Sequence, residues 1–230
     1  VEPTGRVLSY HEHNEAQRTP ELVEQLLAGR RVVVVTDAGM PSVSDPGYRL
    51  VSAAVAGGVR VTCVPGPSAV LMALAASGMS VDRFCFEGFL PRRAGERASA
   101  LGVLGDERRT MVFFEAPHRL ERTLTTMAEV FGPQRRAAVC RELTKTYEEV
   151  RRGTLAERVT WAADGVRGEI TVVVEGATRP AADLETEVAG IRDRVARGER
   201  LKDVCGEVSR ATGLSRKALY DAVVARPSAG

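Results

Sequence analysis

Val32-Val-Val-Val35 is an unbroken β-branched run, and it and its sequel constrain the fold more than any other stretch. Branching at Cβ favours extended backbone, and a run without alternation suits a strand covered on both faces, as in a parallel sheet. A glycine- and proline-rich loop follows, Asp37-Ala-Gly-Met-Pro-Ser-Val-Ser-Asp-Pro-Gly47, and then helical spacing from about Tyr48 to Ala56. The succession repeats, with an extended run over 59–64, the loop Pro65-Gly-Pro-Ser-Ala69 and an alanine-rich helix to about Ser77. Such alternation predicts an open α/β sheet. Ahead of it, Arg6-Val-Leu-Ser-Tyr10 is strand-like, and a helix over 21–27 starts at Thr19-Pro20 and stops at Gly29.

The second half differs. Residues 83–89 and 110–114 are aromatic, extended runs separated by a charged loop and helix over 91–109. A helix over 118–130, a strand over 137–143, the segment 148–153 followed by a helix containing Trp161, and a strand over 169–175 complete an α+β layer. A polar linker over 177–184 leads to a helical tail, where 201–209 and 215–224 flank Thr212-Gly-Leu in the manner of a helix–turn–helix pair. The expected division is an α/β region over 1–80, a second α/β region over 81–177, and a linker with helical tail over 178–230. With Val1 leading almost at once into a strand-like stretch, the chain is expected to begin inside a domain.

A chain of 230 residues, 44% hydrophobic and 27% charged, can bury a core without disulfide or metal staples. Cys63, Cys85, Cys140 and Cys205 form no CxxC pair and suit reduced, mostly buried thiols of a cytoplasmic protein. No apolar run reaches membrane-spanning length. A net charge of +2 neither demands nor excludes a nucleic acid, since local patches outweigh the sum.

The two loops at strand ends carry the chemistry. Ligands of open α/β sheets bind at the carboxyl ends of strands, where glycine lets backbone approach. Asp37 is placed to accept from ribose hydroxyls or face a cationic centre, and Ser68 and Ala69 offer helix-start N–H groups. Tight βα turns of no further purpose would look the same.

These loops resemble two signature loops of the tetrapyrrole-methylase superfamily. Tyr10-His-Glu-His-Asn-Glu15, Phe84-Cys-Phe-Glu-Gly-Phe-Leu-Pro91, Phe113-Phe-Glu-Ala-Pro-His-Arg119, Arg141-Glu-Leu-Thr-Lys-Thr146 and Gly168-Glu-Ile-Thr-Val-Val-Val-Glu-Gly176 narrow the resemblance to the branch that methylates ribosomal RNA. The family's opening strand, its Thr-Pro-Ile-Gly-Asn type of loop and the helix and strand after it have no counterpart here. The resemblance implies a two-domain fold with S-adenosylmethionine held between the domains. Asp37, Ala38, Gly39, Asp45, Pro67, Ser68, Ala69, Glu115 and Leu143 would line the cofactor cleft. The implied activity is 2'-O-methylation of a cytidine ribose in 16S ribosomal RNA of the small subunit, by a cytoplasmic homodimer.

Methyl transfer from a sulfonium requires alignment of the ribose oxygen and removal of its proton. Glu142 and Lys145 stand beside the expected cleft, where a desolvated lysine of lowered pKa would take that proton and Glu142 would orient it; a strand-end salt bridge is the plainer alternative. Arg92, Arg93 and Arg97 suit RNA phosphates, or else a solvated helix face. His11 and His13 alternate on a strand but lack further metal ligands nearby, so no metal is expected. GxGxxG, Walker A, GxSxG and HExxH are missing. A precorrin-type tetrapyrrole methyltransferase and a non-catalytic nucleic-acid-binding protein remain the rival readings.

Overall fold

Ile170-Thr-Val-Val-Val174 is apolar or β-branched at every position, and in the structure every residue of it is buried. The structure is a computed structural model that describes residues 5–36, 39–178 and 183–225. It divides into two compact units, Val1–Gly176 and Ala177–Gly230.

The first unit opens with helices α1 (Glu15–Leu27), α2 (Tyr48–Ala56) and α3 (Ala69–Ser77). Strands β1 (Phe84–Phe89), β2 (Thr110–Glu115), β3 (Arg136–Arg141), β4 (Glu149–Thr154) and β5 (Ile170–Val174) form one sheet in the order β1-β2-β5-β3-β4. β1 and β2 are parallel, while β5 runs antiparallel to both its neighbours, β2 and β3, and β4 lies antiparallel to β3. Side-chain alternation sorts the two faces. Met111, Phe113, Ala137, Val139, Ile170, Val172 and Val174 pack against α4 (Ala94–Val103), α5 (Leu120–Phe131) and α6 (Leu155–Ala162). Val112, Ala138, Cys140 and Val173 point the other way and meet Val70, Ala73 and Leu74 of α3 and, just beyond it, Met79.

α3 is apolar along its length, and one side of it rests on the sheet. The Ser68 side chain caps it by accepting from Leu71 N–H at 3.5 Å, and Gly78 at φ +73° ends it. Arg152 of β4 donates to the carbonyl of Ala76 at 2.9 Å through Nε, which ties the last turn of α3 to the sheet. α6 begins with a full capping box between Thr154 and Glu157. Where β5 ends, Gly176 passes so close to the backbone of Arg108 and Arg109 that any Cβ would collide with the Arg108 carbonyl.

The valine runs are the principal correction. Residues 31–36 and 59–67 join no ladder among the described residues; Val33, Val35 and Val64 are 82%, 82% and 83% exposed. Branched side chains set a local preference for extended backbone, but a strand exists only with a hydrogen-bonded neighbour. Residues 6–10 are likewise no strand, and His13 stands in a turn whose Asn14 side chain accepts from His11 N–H at 2.8 Å. α1 starts at Glu15, earlier than the sequence predicts, because the His11 carbonyl collects the N–H groups of Asn14 and Glu15. Pro20 is carried inside the helix, where its fixed φ is compatible and only one hydrogen bond is forgone.

The second unit contains α7 (Leu184–Ala196), α8 (Leu201–Thr212) and α9 (Arg216–Val224) around Ile191, Val204, Cys205 and Leu219. The predicted helix–turn–helix pair is α8 and α9, joined through Gly213 at φ +80°. Arg194 of α7 bridges Glu199 and Glu207, and Arg192 donates to the Ala222 and Ala225 carbonyls at the end of α9. No helix among the described residues is long and apolar enough to cross a membrane.

The packing of α3 has a measurable signature. Leu74 is 3% exposed against the sheet and Leu71 is 58% exposed on the same helix. Leu74→Ala is expected to cost about 2–5 kcal/mol in urea unfolding, whereas Leu71→Ala stays within roughly 0.5 kcal/mol. Equal costs would mean that α3 does not rest on the sheet in this orientation.

Candidate functional site

β1, β2 and β3 run in one direction, so their last residues, Phe89, Glu115 and Arg141, share an edge of the sheet with the first residues of β4 and β5. The register aligns Glu115, Ile170 and Arg141 across it. Two loops gather near this edge. In the first, Gly39, Ser42, Ser44 and Gly47 all have positive φ, and a Cβ on Gly47 would lie 2.7 Å from Ser42 Oγ. Thr36 Oγ1 donates to Asp45 at 3.0 Å and steadies the loop. The second loop reaches the first at Gly66, whose missing Cβ would stand 3.1 Å from Met40 Sδ. Gly88, in the bulge of β1, faces Ser44, with 4.0 Å from its built Cβ to the hydroxyl oxygen.

Of the sequence-predicted cofactor residues, Gly39, Pro67 and Ala69 are exposed on these loops, and Asp45 and Ser68 are half-buried. Asp37 and Ala38 lie outside the described residues. The N–H groups of Ala69 and Val70, in the first turn of α3, find no acceptor among the described residues. The first turn of a helix favours an anionic group. Leu143 packs beneath, against the cluster that contains Val70 and Leu74.

Glu115 does not face this space. Its carboxylate is wholly buried and accepts from Thr123 Oγ1 at 2.6 Å and Ala116 N–H at 2.8 Å. Arg119 Nε lies 3.2 Å away without the alignment of a hydrogen bond, while its terminal nitrogen donates to the Leu90 carbonyl at 2.7 Å. A buried carboxylate needs this full complement of partners, and it locks β2 to the start of α5.

Arg92 and Arg93 are exposed, but Arg97 is turned inward, with Nε donating to Thr126 Oγ1 at 3.2 Å. The three arginines are therefore not one basic face. Phe89, in the aromatic run over 84–89, is 56% exposed and lies 5.6 Å from Phe114 in a tilted pair, with Phe86 edge-on to Phe114 at 4.9 Å. Period-two spacing broken by Gly88 was the signal for it. Of the cysteines, Cys140 and Cys205 are buried, Cys85 is half-buried and Cys63 is exposed.

Glu142 and Lys145 are brought together. Lys145 Nζ lies 3.0 Å from Glu142 Oε1 and 3.1 Å from Glu169 Oε2, and Glu142 Oε1 also accepts from Glu169 N–H at 2.8 Å. Glu142 and Thr144 hold φ of +50° and +68°, a conformation that costs a residue with a side chain about 1–2 kcal/mol. The Lys145 side chain remains 44% exposed. Its hydrogen bond to Glu142, then that to Glu169, raises its pKa, opposite to the lowering that a desolvated general base requires. Glu142 is pushed below the usual carboxylate range by the Glu169 N–H and then by Lys145. In this structure Lys145 is a paired ammonium between two carboxylates, the strand-end salt bridge that the sequence also allowed.

The sequence model of the family Tetrapyrrole (Corrin/Porphyrin) Methylases matches residues 2–158. The chain is 52% identical over 221 residues to the ribosomal RNA small subunit methyltransferase I of Mycobacterium tuberculosis, covering 96% of this chain and 77% of that protein. With the protein of the same name from Pseudomonas aeruginosa it shares 41% identity, over 94% of this chain and 78% of the relative. Among solved structures, the methyltransferase CobJ superposes with a TM-score of 0.55 at 24% identity, over 78% of this chain and 77% of that one. A uroporphyrin-III C-methyl transferase from Thermus thermophilus, complexed with S-adenyl homocysteine, gives 0.50 at 18%, over 75% and 77%. At such identities these two structures speak for the fold.

The ionic pair predicts its own pH behaviour. The stabilisation from Lys145, whose pKa is raised, is complete below the ordinary lysine value and lost as pH climbs through the raised one. That from Glu142, whose pKa is lowered, is complete above the ordinary carboxylate value and lost as pH falls through the lowered one. The pair therefore stays charged throughout the neutral range. Glu142→Gln should return Lys145 towards the ordinary lysine pKa, read by NMR titration of the side-chain amines, and lysine occurs only at 145, 202 and 217. An unmoved Lys145 midpoint would mean that the pair does not form in solution.

Proposed function

Because this chain belongs to the tetrapyrrole methylase family, and within it to the small-subunit ribosomal RNA methyltransferase I group, we infer that it is an S-adenosylmethionine-dependent methyltransferase of 16S ribosomal RNA. The identity with relatives named for that RNA, running over nearly the whole chain, is the observation that carries the reading. The specific acceptor in this reading is the 2'-hydroxyl of a cytidine in the assembled small subunit. The protein acts as a cytoplasmic homodimer.

S-adenosylmethionine supplies a methyl group already activated on sulfur. Gly39, Pro67, Ser68 and Ala69, with Asp37, Ala38 and Asp45 of the first loop, would hold it, and the fit rests on the open glycine backbone and the N–H groups at the start of α3. Leu143 supports that floor from the sheet side. The chain's own task is to bring the ribose oxygen into line, since positioning contributes most of what an activated donor still requires. Lys145, kept cationic by Glu142, is suited to hold a backbone phosphate next to the reacting ribose. Exposed Arg92 and Arg93 bind further phosphates, and Phe89 offers a face for an unpaired base. The hydroxyl proton leaves to solvent at this open edge.

Incubation with labelled S-adenosylmethionine and purified small subunits, followed by nucleoside mass spectrometry, should yield 2'-O-methylcytidine. Transfer to uroporphyrinogen in its place would hand the reading to a tetrapyrrole substrate. Asp37→Ala should weaken cofactor binding in calorimetry by about 1.5–3 kcal/mol, the range for a charged hydrogen bond. Replacing Arg92 and Arg93 by Ala should lower RNA affinity and flatten its salt dependence by roughly one unit of slope for each phosphate no longer neutralised. An unchanged slope removes both arginines from the RNA surface.

A further inference from the structure

Lysine stands at only three of the 32 basic positions, and Lys145 is the one at the sheet edge that gathers the two loops. The chain around it leaves little room. Gly168 has φ +94°, and a Cβ built on it would fall 2.6 Å from Glu142 Cδ and 2.7 Å from Oε1. No L side chain fits there while the Glu142 carboxylate keeps its place. The neighbouring Glu169 completes a ring: its carbonyl accepts from Glu142 N–H at 3.0 Å, and its N–H donates to Glu142 Oε1 at 2.8 Å. Its own carboxylate then takes the Lys145 ammonium from the other side, at 3.1 Å.

We propose that Gly168 and Glu169 are positioning residues for Lys145, holding its ammonium at the open sheet edge to receive a phosphate of the RNA. The proposal rests on the methyltransferase reading and deepens it. An exposed ion pair ordinarily wanders over many geometries and contributes little. Here one partner is fixed by the backbone of the turn entering β5 and by the space that position 168, without a side chain, leaves open. Glu142 occupies that space from a left-handed backbone, which brings the strain at Glu142, the glycine at 168 and the place of Lys145 together in one device. Left-handed backbone in residues with side chains persists only where the surroundings enforce it. A phosphate oxygen approaching from solvent meets an ammonium already aimed, and shares it with the Glu142 and Glu169 carboxylates.

Two alanine substitutions separate the device from backbone strain alone. Gly168→Ala and Gly165→Ala impose the same penalty at φ +94° and +83°, but a Cβ on Gly165 meets nothing within 4 Å. In the full chain, Gly168→Ala is expected to lower kcat/KM for small-subunit methylation on the order of 10–100-fold, the scale of an ångström-sized misplacement. Calorimetric affinity for S-adenosylmethionine should stay unchanged, and the salt slope of RNA binding should fall by about one. Gly165→Ala should match the unsubstituted enzyme. In a Glu142→Ala background, Gly168→Ala should have no further effect, because its clash has been removed. Glu169→Gln, which keeps shape and fold, leaves Lys145 with one carboxylate and should move its NMR-read pKa back towards the ordinary lysine value while lowering kcat/KM in the same direction as Gly168→Ala. Equal behaviour of the two glycine variants, or independent losses from Gly168→Ala and Glu142→Ala, overturns the proposal. No methyl transfer to small subunits by the unsubstituted chain would overturn the functional reading itself, which is a distinct result.

Discussion

β5 has no side that faces water, and the sheet with the helices packed on it is arranged around that demand. Its backbone groups are paired to β2 on one side and β3 on the other, and its side chains are taken alternately by α3 and by the α4–α5–α6 layer. Burying a strand on both faces contributes roughly 25 cal/mol for each Å² of apolar surface withdrawn, provided no amide is left unpaired. The requirement propagates to both ends of the strand. Beyond its far end, Gly176 must slip past the Arg108 carbonyl without a side chain. At its near end, Glu169 is delivered against the last residues of β3 with little freedom of position. The polar edge of the sheet inherits its geometry from an apolar core several residues away.

What could be read in the amino acids depended on whether the deciding contact was local. Ile170–Val174 and Val32–Val35 have the same character in sequence; one is the centre of the sheet and the other joins no ladder among the described residues. Branched side chains announce a preference for extension, and the partner that converts it into a strand lies elsewhere in the chain. The aromatic strands, α2, α5 and the α8–α9 pair were legible because their periodicity and stop signals are contained in the segments themselves. The start of α1 was hidden by Pro20, which mimics a helix entry.

The site divides along the same line. The two glycine-rich loops and the pairing of Glu142 with Lys145 were visible as patterns, since short spacing brings those residues together. The sign of the effect on Lys145 was not, because Glu169 comes from the turn entering β5, far along the chain, and adds the second carboxylate. Nor did the run of arginines reveal that Arg97 turns inward to Thr126 while Arg92 and Arg93 remain in water. Glu115 sits in a stretch that resembles a cofactor-binding motif, yet its carboxylate serves to join β2 to α5 through Thr123. Its burial was decided by the helix packed over it.

The two borders of the sheet are unlike each other. β1 carries Phe84, Phe86 and Phe89, interrupted by a bulge, and β4 carries Glu149, Arg151 and Arg152. Arg152 is engaged by the Ala76 carbonyl and Glu149 holds both Arg141 and Arg151. A foreign strand laid along β4 would have to strip water from these charges and pull apart their partners, which discourages edge-to-edge growth. The arginines of β4 thus act as a guard rail against fibrous self-association, leaving the aromatic border with its kinked backbone as the less defended margin of the molecule.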